Sequence, residues 1–113
     1  MQLISNAGQF TTPAASEDVH WMEQLRVPDL SVGTYSIPAG AADGQSPHTE
    51  DEIYVIMAGQ ATLEAGTGNQ ITRLPVGPGS VVYVAAGEVH KFTGVTRDLA
   101  ALVLFAPAEE SRA

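Results

Sequence analysis

His48, Glu50, Asp51 and Glu52 crowd into five residues of the stretch SPHTEDEIYVIMAGQ, directly ahead of the apolar run Ile53–Met57. One imidazole and three carboxylates are side chains that hold divalent metals or move protons. His48 and Glu52 share strand parity. On one flat strand they would stand about 13 Å apart, at roughly 3.3 Å per residue, too far to share an ion. Pro47 disfavours a central strand at this point, and Thr49, Glu50 and Asp51 are polar. We therefore expect the chain to fold back here, with His48 ending one strand and Glu52 beginning the next beside it. A second cluster lies in GSVVYVAAGEVHKFTG, Gly79 to Gly94. Ala86-Gly87-Glu88 reads as a turn, and His90 sits just inside the next strand on the face of Phe92. If buried, that histidine needs a partner for each ring nitrogen.

The elements that must position these groups read as strands separated by Gly and Pro. LSVGTYSIP (Leu30 to Pro38), IYVIM ended by Gly59, QATLEA, QITRL, VVYV, VHKF and LAALVLF are strand signals, with turns at Asp43-Gly44, Gly66 to Asn69 and Val76 to Gly79. About eight short strands at close spacing imply an all-β sandwich or barrel. SEDVHWMEQL carries a helix signal with Ser16 as N-cap, but reads equally as an edge strand, which is the reading preferred here. Residues 1 to about 12 and Glu109 to Ala113 read as loose termini. Val82 and Val84, or Leu102 and Leu104, are expected in the core, and Tyr83 is expected to pack there too.

The chain has 113 residues, the size of one domain with a sizeable core, and no cysteine, which removes disulfides, thiolate metal sites and a cysteine nucleophile. A formal net charge of −8 and five scattered Lys and Arg argue against nucleic acid and against an anionic membrane surface. The start, MQLISNAGQF, has no basic segment followed by a long apolar one, and the longest apolar run is about half the roughly 20 residues a spanning helix needs. We expect a cytoplasmic protein that binds a small molecule.

The two clusters together resemble the paired motifs of the cupin family. The first family motif runs Gly, five residues, His-x-His, three or four residues, Glu, six residues, Gly. Here Gly40 is followed by AADGQ, Ser46-Pro47-His48, TED, Glu52, IYVIMA and Gly59. The second runs Gly, five residues, Pro-x-Gly, two residues, His, three residues, Asn. Here Gly79 is followed by SVVYV, Ala85-Ala86-Gly87, EV, His90, KFT and Gly94. Nineteen residues separate Gly59 from Gly79, a usual spacing for small cupins. Ser46 stands where the family usually has its first His, Ala85 replaces the motif proline and Gly94 the motif Asn.

The resemblance implies a single-domain cupin jelly-roll β-barrel (a double-stranded β-helix) over residues 1–113, with a barrel core of approximately 30–106 and an N-terminal arm of 1–29. It implies one divalent transition metal ion per chain on His48, Glu52 and His90, the usual three-His-one-Glu set less one His. Two imidazoles and a carboxylate form a facial triad that favours Fe(II), while Zn, Mn, Ni or Co also suit such ligands. Glu50 is a candidate for the missing ligand. Tyr54 and His20 are candidate acid–base groups, and Tyr35, Tyr54, Tyr83 and Phe92 are candidates for a cavity wall. The implied function is a mononuclear metal-dependent enzyme, dioxygenase-like, acting on a small organic molecule. The alternatives are a metal-assisted isomerase, cyclase or lyase without oxygen, or a non-catalytic binding module. Small cupins commonly pair through an edge strand, so a homodimer is implied as well.

Overall fold

The computed structural model describes residues 1–112, and they contain six strands and no α-helix. These are β1 (His20–Val27), β2 (Leu30–Ile37), β3 (Asp51–Ala65), β4 (Thr72–Val76), β5 (Val81–Val84) and β6 (His90–Ala106). All pairings are antiparallel. The backbone of the fold is the ribbon of β3 and β6, which pair from Asp51↔Ala106 to Ala65↔His90 with register shifts between Ile56 and Thr62. The first half of β3 also pairs with β5, and the last part of β6 with β2, which carries β1 at the edge. The second half of β3 pairs with β4. One bent ribbon thus contributes to two layers, and the core lies between them. This is the all-β architecture, two layers around one core, that the resemblance implies.

The bend explains why eight expected strands are six. IYVIM and QATLEA form one strand, as do VHKF and LAALVLF. Gly59 does not end a strand. It lies inside β3 with φ +92°, at the centre of the bulged region. A bulge re-aims a strand and raises its local twist without breaking the ladder on either side. A Cβ at Gly59 would stand 2.3 Å from the Asp98 carbonyl oxygen and 2.6 Å from Leu99 Cα. The two strands approach too closely there for any side chain.

Alternation along β3 turns Glu52, Tyr54 and Ile56 inward. They join a continuous core that includes Tyr35, Ile37, Phe92, Leu99, Val103 and Phe105. Val84 is buried as expected, but Leu102 and Leu104 are only half-buried, because Val103 and Phe105 take the inner face. An unbroken apolar run carries no parity signal that would have chosen between them. Tyr83 is exposed rather than packed in the core.

SEDVHWMEQL does form an edge strand from His20 onward. Trp21 on that strand lies over Gly33, where a Cβ would meet its ring at 2.2 Å, and its ring meets Tyr35 and Phe105 edge-on at 6.3 and 6.2 Å. The described parts of the termini are not loose, Ala113 lying outside the described residues. Gly8 N–H donates to Thr34 Oγ1 at 2.8 Å and Thr11 N–H to Ser36 Oγ at 3.1 Å, so the N-terminal segment covers the outer face of β2. At the other end Glu109 N–H donates to Ser31 Oγ at 2.9 Å.

Gly59→Ala is expected to destabilise the fold by at least about 2 kcal/mol, from the left-handed backbone and the clash with the facing strand combined. Urea denaturation followed by circular dichroism measures this. A change below about 0.5 kcal/mol would contradict the close approach.

Candidate metal centre

Three elements meet at one end of the barrel. Glu52 is the second residue of β3 and His90 the first of β6, while His48 lies in the connection from β2 to β3 rather than at a strand end. Its backbone is pinned where the Gly87 N–H donates to the His48 carbonyl at 2.7 Å. Asp51 secures the same corner by accepting the Ala86 N–H at 2.8 Å. Fold-back across this connection brings one ligand atom from each of His48, Glu52 and His90 to within 4.8 Å of one another.

Glu52 is the informative member. It is 2 % exposed, and neither carboxylate oxygen receives a hydrogen bond. His90 Nε2 stands 2.8 Å from Oε1 without completing a regular hydrogen bond to it. A buried carboxylate with no donor is costly, and native proteins leave few such groups unpaired. A cation between Glu52 and the two imidazoles would satisfy both oxygens.

His90 is oriented from behind. Its Nδ1 lies 2.8 Å from the Glu88 carbonyl, which can only accept, so Nδ1 carries the proton and Nε2 is the free ligand atom in the neutral ring. Burial lowers its basicity, but the Glu52 carboxylate, the Glu88 carbonyl and the more distant Asp43 outweigh this and raise its pKa above the ordinary value. Tyr54 O–H stands 3.0 Å from His90 Nε2 and 3.1 Å from Gln45 Oε1. Burial first, then the neighbouring Glu52 charge, push its pKa well above that of a free tyrosine, so it holds its proton. The residues present therefore fit a divalent metal: a donor-free carboxylate, two imidazoles and a protonated phenol beside them.

Asp43 and Gln45, which the sequence marked only as a loop, complete the surroundings. Asp43 is buried and accepts from Tyr35 O–H at 2.6 Å, Gln45 Nε2–H at 2.6 Å, Gln45 N–H at 3.2 Å and Phe92 N–H at 2.8 Å. Burial, and then the Asp43 bond and charge, raise the pKa of Tyr35 far above its usual value. The chain Asp43–Gln45–Tyr54–His90 links the connection after β2 to the His90 imidazole. A buried aspartate in Ala-Ala-Asp-Gly gave no period or motif by which to find it.

The cavity beside these groups has a volume of about 90 Å³ and is lined by Trp21, Gln45, Tyr54, Val103, Phe105 and Glu109 among others. At about 30 Å³ per water in the liquid, it has room for a few heavy atoms. Of the expected wall aromatics, Tyr35 and Tyr54 line it, Phe92 packs behind Tyr54 at 4.9 Å, and Tyr83 lies outside. His20 is not on the wall. It opens β1 opposite Ser36, and alternation gives the cavity to Trp21 instead. Ser46 is exposed, and its neighbour Gln45 faces inward. Glu50 does not turn toward the cluster. It is 1 % exposed and accepts from Glu110 N–H at 2.6 Å, Arg112 N–H at 2.9 Å and Thr49 Oγ1–H. Burial raises its pKa, but these three donors together with the Arg112 charge prevail and lower it.

Comparison with known proteins identifies the lineage. The family described as "Cupin domain" matches residues 33–106, and the chain belongs to that family. It is 41 % identical over 95 residues to an uncharacterized protein of Streptomyces coelicolor, covering 84 % of this chain and 87 % of that one. Its fold is similar to that of a cupin superfamily protein from Desulfitobacterium hafniense, with a TM-score of 0.68, 18 % identity, and coverage of 84 % of this chain and 83 % of that one. It is also similar to HppE in its Fe(II) form, with a TM-score of 0.71, 13 % identity, and coverage of 93 % of this chain and 58 % of that one.

Asp43→Ala is expected to cost roughly 2–5 kcal/mol, because it strands the buried Phe92 N–H and Tyr35 O–H together. Thermal and urea unfolding of the variant check this. A loss under about 1 kcal/mol would show that the network contributes little to the fold.

Proposed function

We propose that this cupin is a mononuclear metal-dependent enzyme acting on a small organic molecule, with His48, Glu52 and His90 as the ligands. The single observation that carries this reading is the donor-free buried carboxylate of Glu52 between two imidazoles at the end of a small cavity. Two His and one carboxylate suit Fe(II) with open coordination positions, and the similar HppE fold was obtained in its Fe(II) form. A bound ferrous ion would supply Lewis acidity and, with dioxygen, dioxygenase-type chemistry.

The chain's own groups have definable roles in this reading. Glu52 balances the charge of the dication, and the Glu88 carbonyl holds the His90 ring in place through Nδ1. Trp21, Val103 and Phe105 exclude bulk water from the cavity and favour an apolar portion of the substrate. Gln45 offers a hydrogen bond to its polar portion. Glu50 and His20, whose side chains face away from the cavity, are not part of this chemistry. Tyr54, holding its proton beside His90, is positioned to give a proton to a bound molecule. That favours, as a second reading, an isomerase, cyclase or lyase that uses the same ligands without oxygen. Oxygen uptake during turnover separates the two.

The whole chain acts as one cupin domain in this reading, with the arm of residues 1–29 adding β1 to the barrel. It works in the cytoplasm as a homodimer, in which a second copy covers the free edge of β1 and its exposed Met22 and Val27.

His48→Ala and His90→Ala are each expected to weaken Fe(II) binding more than about 100-fold, beyond the loss caused by removing a group that merely orients a ligand. Both should keep the β circular-dichroism signal. Metal analysis after anaerobic loading and gel filtration measures the loss. One equivalent of iron retained by either variant would remove that residue from the ligand set.

A further inference from the structure

The C-terminal tail reaches the candidate centre from outside the barrel. Glu109 Oε2 lies 3.3 Å and Glu110 Oε1 3.4 Å from His48 Nδ1. Glu109 also lines the cavity, and its own carboxyl is raised in pKa, chiefly by burial. The tail is fastened there by a buried carboxylate. Glu50 is 1 % exposed, and its two oxygens take the backbone N–H groups of Glu110 and Arg112. Ser31 Oγ takes the N–H of Glu109. Three successive anchor points therefore set the tail's height above His48. The imidazole itself is held on its other flank by Phe105, whose ring centroid lies 4.8 Å away.

We propose that the tail is a positioning device for His48: Glu110, with Glu109 beside it, accepts a hydrogen bond from Nδ1–H, fixing the tautomer whose Nε2 is free for the metal, and Glu50 is the latch that holds the two carboxylates there. The inference rests on the ligand assignment given above. A ligand histidine commonly donates its other ring N–H to a carboxylate or backbone carbonyl, and His90 already uses the Glu88 carbonyl in this way. Among the described residues no carbonyl takes this place at His48, and the groups beside its Nδ1 are the tail carboxylates. The grouping of His48 with Glu109 and Glu110 is thus read as orientation of a ligand, not as a second ion site. Glu50 follows His48 by two residues, yet acts on it through a segment some sixty residues away in sequence.

The test uses the full chain and two readouts. The first is the tautomer of His48, read from imidazole nitrogen shifts and long-range nitrogen–proton correlations in the metal-free protein above the pH at which the ring is charged. The second is the affinity for Co(II), read from its visible absorption. The wild type should show Nδ1–H. Glu109→Ala with Glu110→Ala should shift His48 toward Nε2–H and weaken Co(II) binding by about 10-fold or more. Glu109→Gln with Glu110→Gln, which keeps an acceptor oxygen at both positions, should restore the tautomer. Glu50→Gln, which sets an amide N–H against a backbone N–H, should reproduce the alanine result without touching either tail carboxylate. An unchanged tautomer in the double alanine variant overturns the proposal, and an unchanged tautomer in Glu50→Gln overturns the latch. If the wild type binds no Co(II), the ligand assignment fails, while the metal-free tautomer still decides the role of the tail.

Discussion

A carboxylate buried without a donor is the constraint around which this molecule is arranged. Glu52 occupies a core position on the inner face of β3, where the pattern calls for an apolar residue, and none of the described residues completes a hydrogen bond to its oxygens. The groups near it are each supported from a second direction. His90 is held by the Glu88 carbonyl, Tyr54 by Gln45, and Gln45 by Asp43. Several buried polar groups thus leave one place for positive charge, and that place is bounded by two imidazoles.

The fold makes this arrangement affordable because its two longest strands act as a rigid frame. β3 and β6 pair over nearly their whole lengths and bend together at the bulge near Gly59. Glu52 and His90 lie at the starts of these two strands, at opposite ends of the paired ribbon in register, since Glu52 pairs with Phe105 and His90 with Ala65. Only the bend brings them together. Without it the ribbon would hold them thirteen residues apart along β3, roughly 43 Å at 3.3 Å per residue. Backbone geometry at one glycine and chemistry at the cavity are therefore parts of one design.

Much of this was legible in the sequence, and the reasons for the rest are physical. Gly and Pro spacing carries the all-β class, and the family resemblance carries the two motif stretches; the fold-back expected after Pro47 placed His48 at a strand end, where the structure has a connection. Strand count was overestimated because Gly59 signals a stop in sequence but a bulge in space. Glu50 was read as a spare ligand because proximity along the chain says nothing about direction, and its partners lie in the C-terminal tail. The tail itself looked loose because its anchors are backbone N–H groups, which have no sequence signature. Asp43 was missed for the same reason in reverse: its importance comes from four donors that converge only after folding. His20 and Trp21 are adjacent, and only the register of β1 decides which of them faces the cavity.

The most direct measurement is X-ray absorption at the iron edge of protein loaded anaerobically with one equivalent of Fe(II). The account predicts outer-shell scattering from two imidazole rings together with oxygen ligands that include one carboxylate. A spectrum with oxygen neighbours alone, matching hydrated iron, would contradict the assignment of His48, Glu52 and His90 as a metal centre.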